Sequence, residues 1–511
     1  MGILAVYDTI GIQNYIFSSN KLAENVGASK LVADVFGGDE FAKDKFAKDG
    51  VLASVIKKYT GSQLPDWRKS KKLDPSLKAE IIYQGGGNAY VKFADEPTFQ
   101  DVTKAFLIEV SKYAPGIGIA VAAVETNFGS TYKRDFDNIN DRLMLVKGGF
   151  NMPVFAGNQP ITKQSGRTGL PVSHYEDREY MSNCQKNKRE RYDDHKIEKR
   201  RKRKSKIYQF NDLVFEKESD SLIAIVHADG NNMGKHIKEY MEGFKSYEEA
   251  VPAIRDLASK IDKCYRDALD RTIEEFEEAY EKYVKEQIET YPGKEYKTEP
   301  PYLELIGDGD DITVLIGGRF AIDFAARLLR EIEKTKENKR PFIDKEPTAC
   351  AGVVLFHSHY PFSEAYKLVE GLCSNAKKPS RAEKGSYIDF HLHSSGRAES
   401  LQQLRTKQYF VDGKSIIKRP WKVPLDESKQ SPGDFSWFEK SMAEVSKIPK
   451  NKTKAIRNAI ASGDIAARLA ENQLRDAVLP KYPQDMPDRT SEYAALFDIL
   501  EFYDTYVNLL N

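Results

Sequence analysis

The chain has few cysteines, few tryptophans and no long apolar run. Its four cysteines, Cys184, Cys264, Cys350 and Cys373, stand far apart. They form no paired Cys-x-x-Cys motifs, so neither a disulfide framework nor a zinc ribbon is expected, and a reducing compartment is. No apolar stretch reaches the ~20 residues of a membrane-spanning helix. Met1–Tyr7 also lacks the charged start and cleavage site of a signal peptide, so a cytoplasmic protein without membrane contact is expected. A net charge of +1 excludes generic nucleic-acid binding by bulk charge. No nucleophile elbow occurs. His357 and His359 lack a Cys or Glu partner at metal-binding spacing, which argues against zinc there too.

What the chain does have is acidic residues at strand ends. Leu222 to Val226 is an apolar run that stops just before Asp229 in the segment His227-Ala228-Asp229-Gly230-Asn231-Asn232-Met233-Gly234-Lys235. Tyr302–Ile306 and Ile312–Ile316 are two further apolar runs, joined through Gly307-Asp308-Gly309-Asp310-Asp311. A hairpin with acids at its turn, beside a strand ending in Asp-Gly, can bring Asp229, Asp310 and Asp311 together. Hard oxygen ligands of this kind suit two Mg²⁺ or Mn²⁺ ions, and the Gly230 carbonyl can add a further one. The stretch Gly230, Asn231, Asn232, Met233, Gly234 opens a helix and offers backbone N–H groups to phosphates, with Gly309 close by in the hairpin.

The first part of the chain repeats the pattern. Ile3–Tyr7 is an apolar strand ending at Asp8, and Ile81–Val91 reads as strand, glycine-rich turn, strand. Asp8 and Asn88 lie about 80 residues apart, as do Asp229 and Asp310. Both units continue as helix then strand, through Phe99–Tyr113 and Gly118–Val124, and through Phe320–Lys334 and Thr348–Phe356. The expected fold class is therefore α+β, two ferredoxin-like βαββαβ palms with a C-terminal helical domain. Where the second unit has Asp310-Asp311, the first is read as having Asn88-Ala89. The first palm is then non-catalytic, and either binds a second nucleotide through Gly86, Gly87 and Asn88 or is purely structural.

These residues carry a resemblance. The chain resembles the large subunit of type III CRISPR effector complexes, a two-palm polymerase family that makes cyclic oligoadenylates. Asp8-Thr9-Ile10-Gly11-Ile12-Gln13-Asn14-Tyr15-Ile16-Phe17 followed by Gly27-Ala28-Ser29 is similar to the first palm of that family. Asp229 to Gly234 is similar to its Asp-Gly-Asp-Asn-Met-Gly motif, with Asn231 in place of the second Asp. Asp308-Gly309-Asp310-Asp311 is similar to its Gly-Gly-Asp-Asp signature, with Asp308 in place of the first Gly. Leu372–Lys378 resembles the helix end whose lysine contacts triphosphate, which singles out Lys377, with Lys378 and Arg381 as further candidates. The resemblance implies ATP as substrate, guide and target RNA and small effector subunits as partners, and antiviral defence as the setting. The chain starts directly on a palm strand with no His-Asp pair nearby, so neither the family's N-terminal HD nuclease nor DNase activity is expected. Two alternatives stay open: a stand-alone cyclic-dinucleotide synthase, and a catalytically silent RNA-binding scaffold.

Other features are weighed against these. Gly37-Gly38-Asp39-Glu40-Phe41 spells a diguanylate-cyclase signature, but it follows an amphipathic helix and reads as a helix end. Lys196–Lys206 is densely cationic, and Lys186, Lys188, Arg189 and Arg191 extend the patch, which reads either as a solvated linker between the palms or as an RNA- or nucleotide-facing surface. The expected boundaries are a first palm over 1–130 and an irregular insertion over 131–215. A second palm follows over 216–398, with a helical insertion at 247–291, and then a helical domain over 399–511. Ile254, Leu257, Ile261 and Cys264 recur at helical spacing and predict a packed face. Lys418-Arg419-Pro420-Trp421 reads as a linker, with Trp421 and Trp437 as core anchors.

Overall fold

The computed structural model describes residues 1–38, 45–149, 161–176, 178–199, 205–216, 221–334, 347–394, 396, 398–425, 431–474 and 479–510. Two compact units result, Met1–Lys204 with Asn232–Lys263, and Ser205–Asn231 with Cys264–Asn511.

The first unit opens on β1 (Gly2–Ile10) and helices α1 (Ile12–Ile16), α2 (Leu22–Phe36), α3 (Lys45–Asp49) and α4 (Val51–Thr60). Then come β2 (Ala79–Gly85), β3 (Asn88–Phe93), α5 (Glu96–Tyr113), β4 (Gly118–Thr126) and α6 (Tyr132–Gly149). The sheet order is β2-β3-β1-β4, antiparallel throughout, as a βαββαβ unit requires. β1 is an inner strand, so residues 3–9 are all buried, and Ile3–Tyr7 read as a continuous apolar run. Edge strand β4 instead alternates. Helix α5 starts where the Asp95 carboxylate accepts the Thr98 N–H at 2.8 Å. Val35, Ile56, Phe93 and Phe106 lie in one core cluster.

Residues 131–215 are less irregular than expected. Besides α6 they hold a small hairpin, β5 (His174–Glu176) and β6 (Glu179–Met181), and α7 (Asn183–Lys199). The expected cationic patch on α7 is turned inward. The Lys188 ammonium is buried and donates to the Tyr15 carbonyl at 2.7 Å. Arg191 Nε donates to Asp34 Oδ2 at 2.7 Å, both side chains being buried. Arg189 pairs with Glu24 at 3.3 Å, and Lys186 with Glu190 at 3.4 Å. A Cβ on Gly27 would fall 1.7 Å from the Lys188 carbonyl oxygen, so α2 and α7 cross backbone against backbone. Arg189 and Arg191 thus neutralise buried acids of the first palm and Lys188 is buried on a backbone carbonyl, which corrects the reading of these three as phosphate-facing, while Lys186 stays part-exposed on its own helix. Residues 200–204 of the basic run lie outside the described residues, as do Asp39–Phe41 of the cyclase-like signature. Helix α2 ends at Phe36 with Gly37 in an extended conformation, its N–H on the Ala33 carbonyl.

The second unit is built on β7 (Leu222–Gly230). The chain then contributes α8 (Met233–Met241) and the start of α9 (Tyr247–Thr290) to the first unit. Next come β8 (Tyr302–Asp308), β9 (Asp311–Gly317), α10 (Ala321–Lys334), β10 (Ala349–His357), α11 (Phe362–Ala382) and β11 (Ser386–His393). After α12 (Leu401–Gln408), β12 (Phe410–Val411), β13 (Lys414–Ser415) and β14 (Trp421–Val423), the chain ends in α13 (Phe435–Val445), α14 (Lys450–Ile460), α15 (Asp464–Asn472) and α16 (Ala494–Phe502). The sheet order β14-β11-β10-β7-β9-β8 contains the four-strand pattern of the first palm, extended by β11 and β14. Fold class is α+β, two palms with a helical C-terminal region. The α9 residues Ile254, Leu257, Ile261 and Cys264 are all buried.

Residues 418–421 are not a linker. Trp421 pairs with Ile388, donates its indole N–H to Asp498 at 3.0 Å and stacks on Trp437 at 5.8 Å. A segment past the expected boundary at 399 thus completes the palm sheet, because a fully apolar ring with one satisfied polar atom is more stable there than in solvent.

Candidate functional site

Strand register brings the acidic residues together. Asp229 pairs with Asp311 across β7 and β9, and Asp308 pairs with Asp311 across β8 and β9. That leaves Gly309 and Asp310 as the two-residue loop, with Gly309 at φ +65°, a conformation glycine adopts without strain. The Gly230 N–H donates to the Asp310 carbonyl at 3.3 Å. A Cβ on Gly230 would lie 3.0 Å from both Cβ and Oδ2 of Asp310. Glycine at this position is what lets the hairpin carboxyl close onto the strand end.

The charges are unevenly balanced. Lys377, on α11, donates from Nζ to Asp229 Oδ2 at 2.5 Å and to the Gly230 carbonyl at 3.3 Å. Burial works against its ammonium, but Asp229 outweighs that and holds the lysine pKa above its ordinary value. The Asp310 carboxyl is pushed up to about 6, first by burial and then by the charges of Asp229 and Asp311. His227 is buried, with Nδ1 3.0 Å from Thr313 Oγ1 and 3.3 Å from Asp311 Oδ1. Burial lowers its pKa, so the ring is neutral at pH 7 and is a hydrogen-bonding strut beside Asp311.

The remaining sequence-derived positions divide. Asn231 is buried, and its amide donates to Thr348 Oγ1 at 3.0 Å and to the Gly385 carbonyl at 3.3 Å, so it braces the end of β7. Asn232 takes a left-handed conformation at φ 54° and starts α8, of which Met233 and Gly234 are the first residues. Lys378 and Arg381 are exposed on α11, and no ion pair or hydrogen bond joins either to Asp229, Asp310 or Asp311 among the described residues.

The first palm repeats the geometry with different side chains. Asp8 pairs with Asn88 across β1 and β3, and Gly85 pairs with Asn88 across β2 and β3. Asn88 is therefore the counterpart of Asp311, and Gly87 that of Asp310. This corrects by one residue the equivalence of Asn88-Ala89 with Asp310-Asp311, which chain spacing alone does not resolve. Gly86 and Gly87 both have positive φ, +60° and +78°. The Thr9 N–H donates to the Gly87 carbonyl at 2.9 Å, the same bond that Gly230 makes to Asp310. Lys147 lies 2.7 Å from Asp8 Oδ1, as Lys377 lies on Asp229. Each lysine sits fifteen residues beyond the first residue of its helix, Tyr132 and Phe362 respectively. The duplication thus extends to a lysine–aspartate pair in each palm, with the hairpin carboxyls kept only in the second.

Sequence reading missed two neighbours on α9. A Cβ on Gly230 would also lie 2.5 Å from the Tyr265 hydroxyl. Arg266 donates to Glu304 Oε1 at 2.7 Å and to the Gly307 carbonyl, tying α9 to the acidic hairpin. Nothing in the α9 sequence separates Tyr265 from its other buried aromatics, Phe276 and Tyr280.

The donor set suits a hard divalent cation. Asp229 and Asp311 lie close enough to Asp310 to act on its charge, burial and these like charges disfavour its ionised form, and the Lys377 ammonium rests on Asp229 and the Gly230 carbonyl. No ready-formed group of three or more His, Cys, Asp or Glu that could hold a metal ion occurs among the described residues.

Residues 222–386 match the model of the Cas10/Cmr2 second palm domain. Among curated proteins, none matches the chain significantly. Solved structures similar to the whole chain include a Csm1–Csm4 cassette in complex with AMPPNP, at TM-score 0.53 and 13% identity, covering 100% of this chain and 70% of that one. The cassette in complex with cA4 gives TM-score 0.52 and 12% identity, with the same coverage. The Csm1–Csm4 subcomplex of a type III-A CRISPR-Csm interference complex gives TM-score 0.50 and 12% identity, again over 100% and 70%. At such identities these likenesses speak to fold. Residues 222–386 thus match a Cas10/Cmr2 second palm domain, within a chain whose fold is similar to that of the Csm1–Csm4 structures.

Proposed function

We propose that this protein is a metal-dependent nucleotidyltransferase that joins ATP into 3′–5′ linked, cyclic oligoadenylate as a signal in CRISPR-type antiviral defence. The observation that carries the reading is the β7–β9 register. It sets Asp229 beside Asp311, closes Asp310 over Gly230, and places a lysine on the same oxygens. Binding of cA4 and AMPPNP by the similar Csm1–Csm4 structures supports ATP as substrate and cyclic oligoadenylate as product. Membership of an effector complex with guide RNA and small subunits is supported by the type III-A subcomplex among the similar structures.

In this reading Asp229, Asp310, Asp311 and the Gly230 carbonyl hold two Mg²⁺ or Mn²⁺ ions. When bound, these supply activation of the attacking 3′-hydroxyl and neutralisation of charge on the departing pyrophosphate. Lys377 offers its ammonium to the triphosphate, exchanging one anionic partner for another. Backbone N–H groups from Asn231 to Gly234, at the start of α8, bind phosphate oxygens, and Gly309 keeps the hairpin turn from blocking them. Lys378 and Arg381, exposed further along α11, add positive charge toward the leaving phosphates. The first-palm turn Gly86, Gly87, Asn88 offers a seat for a second nucleotide. A protein of this kind works in the cytoplasm.

The test is product analysis by mass spectrometry. The intact protein and an Asp310→Ala/Asp311→Ala variant are incubated with all four NTPs and Mg²⁺ or Mn²⁺, with and without target RNA bound to guide complex. A cyclic adenylate made only by the intact protein supports the reading, and its ring size names the product. Absence of product with RNA present, despite a folded protein, points to the scaffold alternative. A cyclic dinucleotide made without RNA points to a stand-alone synthase.

A further inference from the structure

Tyr265 is 1% exposed, and among the described residues its hydroxyl has no hydrogen-bond partner. Burying an unpaired phenol is costly, and native structures keep few such groups without a reason. The surroundings supply one. The point where a Gly230 Cβ would stand is 2.5 Å from the Tyr265 hydroxyl and 3.0 Å from Asp310 Oδ2, so the two oxygens are at most 5.5 Å apart, the sum of those distances. Helix α9 cannot slide the ring away, because the next residue, Arg266, is fastened to Glu304 and to the Gly307 carbonyl of the same hairpin. The hydroxyl thus stands near the Asp310 carboxyl, which forms no ion pair among the described residues, whereas Asp229 has Lys377.

We infer that Tyr265 is a positioning residue of the second palm, whose hydroxyl donates to the Asp310 carboxylate and orients it toward the bound divalent cation. The inference rests on the two-metal reading above. The chemistry is that of any outer donor to a ligating carboxylate: a fixed hydrogen bond selects one rotamer of the ligand, and its loss weakens metal binding by 10–100-fold. It also explains why an unpaired hydroxyl is retained. Its partner is the Asp310 carboxyl across the site, whose Oδ2 lies within 5.5 Å of it.

The test uses the full chain and Mn²⁺ alone, with affinity read by electron paramagnetic resonance of the free ion. Wild type, Tyr265→Phe and Asp310→Ala/Asp311→Ala are compared. The Phe variant keeps the ring, and melts without metal at or above the wild-type temperature. It is expected to bind Mn²⁺ about tenfold more weakly or worse. The Mn²⁺ concentration for half-maximal product formation should rise in step, with a smaller fall in maximal rate. Equal Mn²⁺ affinity for wild type and Tyr265→Phe, both well above the double variant, overturns the role of Tyr265 and leaves the metal reading standing. Wild-type binding no tighter than that of the double variant overturns both.

Discussion

The Lys377 ammonium lies 2.5 Å from Asp229 Oδ2 and also touches the Gly230 carbonyl. The residue proposed to meet triphosphate is thus parked on oxygens proposed to meet metal. One cation has to leave before another enters, so nucleotide and metal are expected to bind each other's sites more tightly together than alone. Lys377→Met should therefore bind Mn²⁺ more tightly in the absence of nucleotide, by about tenfold or ~1.4 kcal/mol. ATP affinity and product formation should fall by more than that. Titrating Mn²⁺ with and without a non-hydrolysable ATP analogue checks both signs.

The Asp310 carboxyl supplies a pH test. Its folded pKa, about 6, lies above the ordinary 3.8. For an acid shifted this way, the associated stability is fully present below pH ~3.8 and is lost as pH rises through about 6. Asp310→Asn should flatten that decline, leaving the variant more stable than wild type at pH 8 by on the order of 2 kcal/mol without metal. Metal binding has the opposite sign, since only the ionised carboxylate is a ligand. Mn²⁺ affinity should weaken as pH falls through about 6. Urea midpoints and Mn²⁺ titrations across pH 4–8 measure the two slopes.

Arg191 and Asp34 form a buried ion pair at 2.7 Å, and the Tyr113 hydroxyl also donates to Asp34 at 2.8 Å. Removing one partner leaves a buried charge behind. Arg191→Met should destabilise the first unit by about 3–5 kcal/mol, read as a lower urea midpoint of its transition. Were α7 a phosphate-facing patch instead, the variant would lose RNA affinity at unchanged stability.

Much of this was legible from the chain itself. Strands ending in acids, the two-residue hairpin turns and the long duplication all leave local patterns, and Asp229, Asp310 and Asp311 stood out by residue type and position. The one-residue offset between the palms did not, because Gly85-Gly86-Gly87 admits more than one turn of the same length. Only the pairing of Asp8 with Asn88 decides it. The partners of the α7 cations were equally hidden: Glu24 and Asp34 are more than 150 residues away in sequence, and charge runs show sign without showing what they face. Tyr265 could not be singled out, since an aromatic on a buried helical stripe looks the same whether or not its hydroxyl has work to do. Trp421 is the core anchor its residue type suggested, but the proline beside it pointed to a linker where the segment forms an edge strand.

The equivalent bonds Gly230–Asp310 and Thr9–Gly87 carry a consequence for substitution. In one palm the hairpin has the side chain and the strand has none; in the other the strand has it and the hairpin has none. The two are in competition, because a Cβ on Gly230 would meet Asp310 at 3.0 Å. In the first palm a Cβ on Gly87 would meet the Ile12 methyl at 2.5 Å on a backbone at φ +78°. Glycine is the residue that adopts this φ without strain. Placing a carboxyl in the first-palm turn therefore asks for a new side chain and a new backbone conformation together, so the two hairpins are not interchangeable by a single substitution.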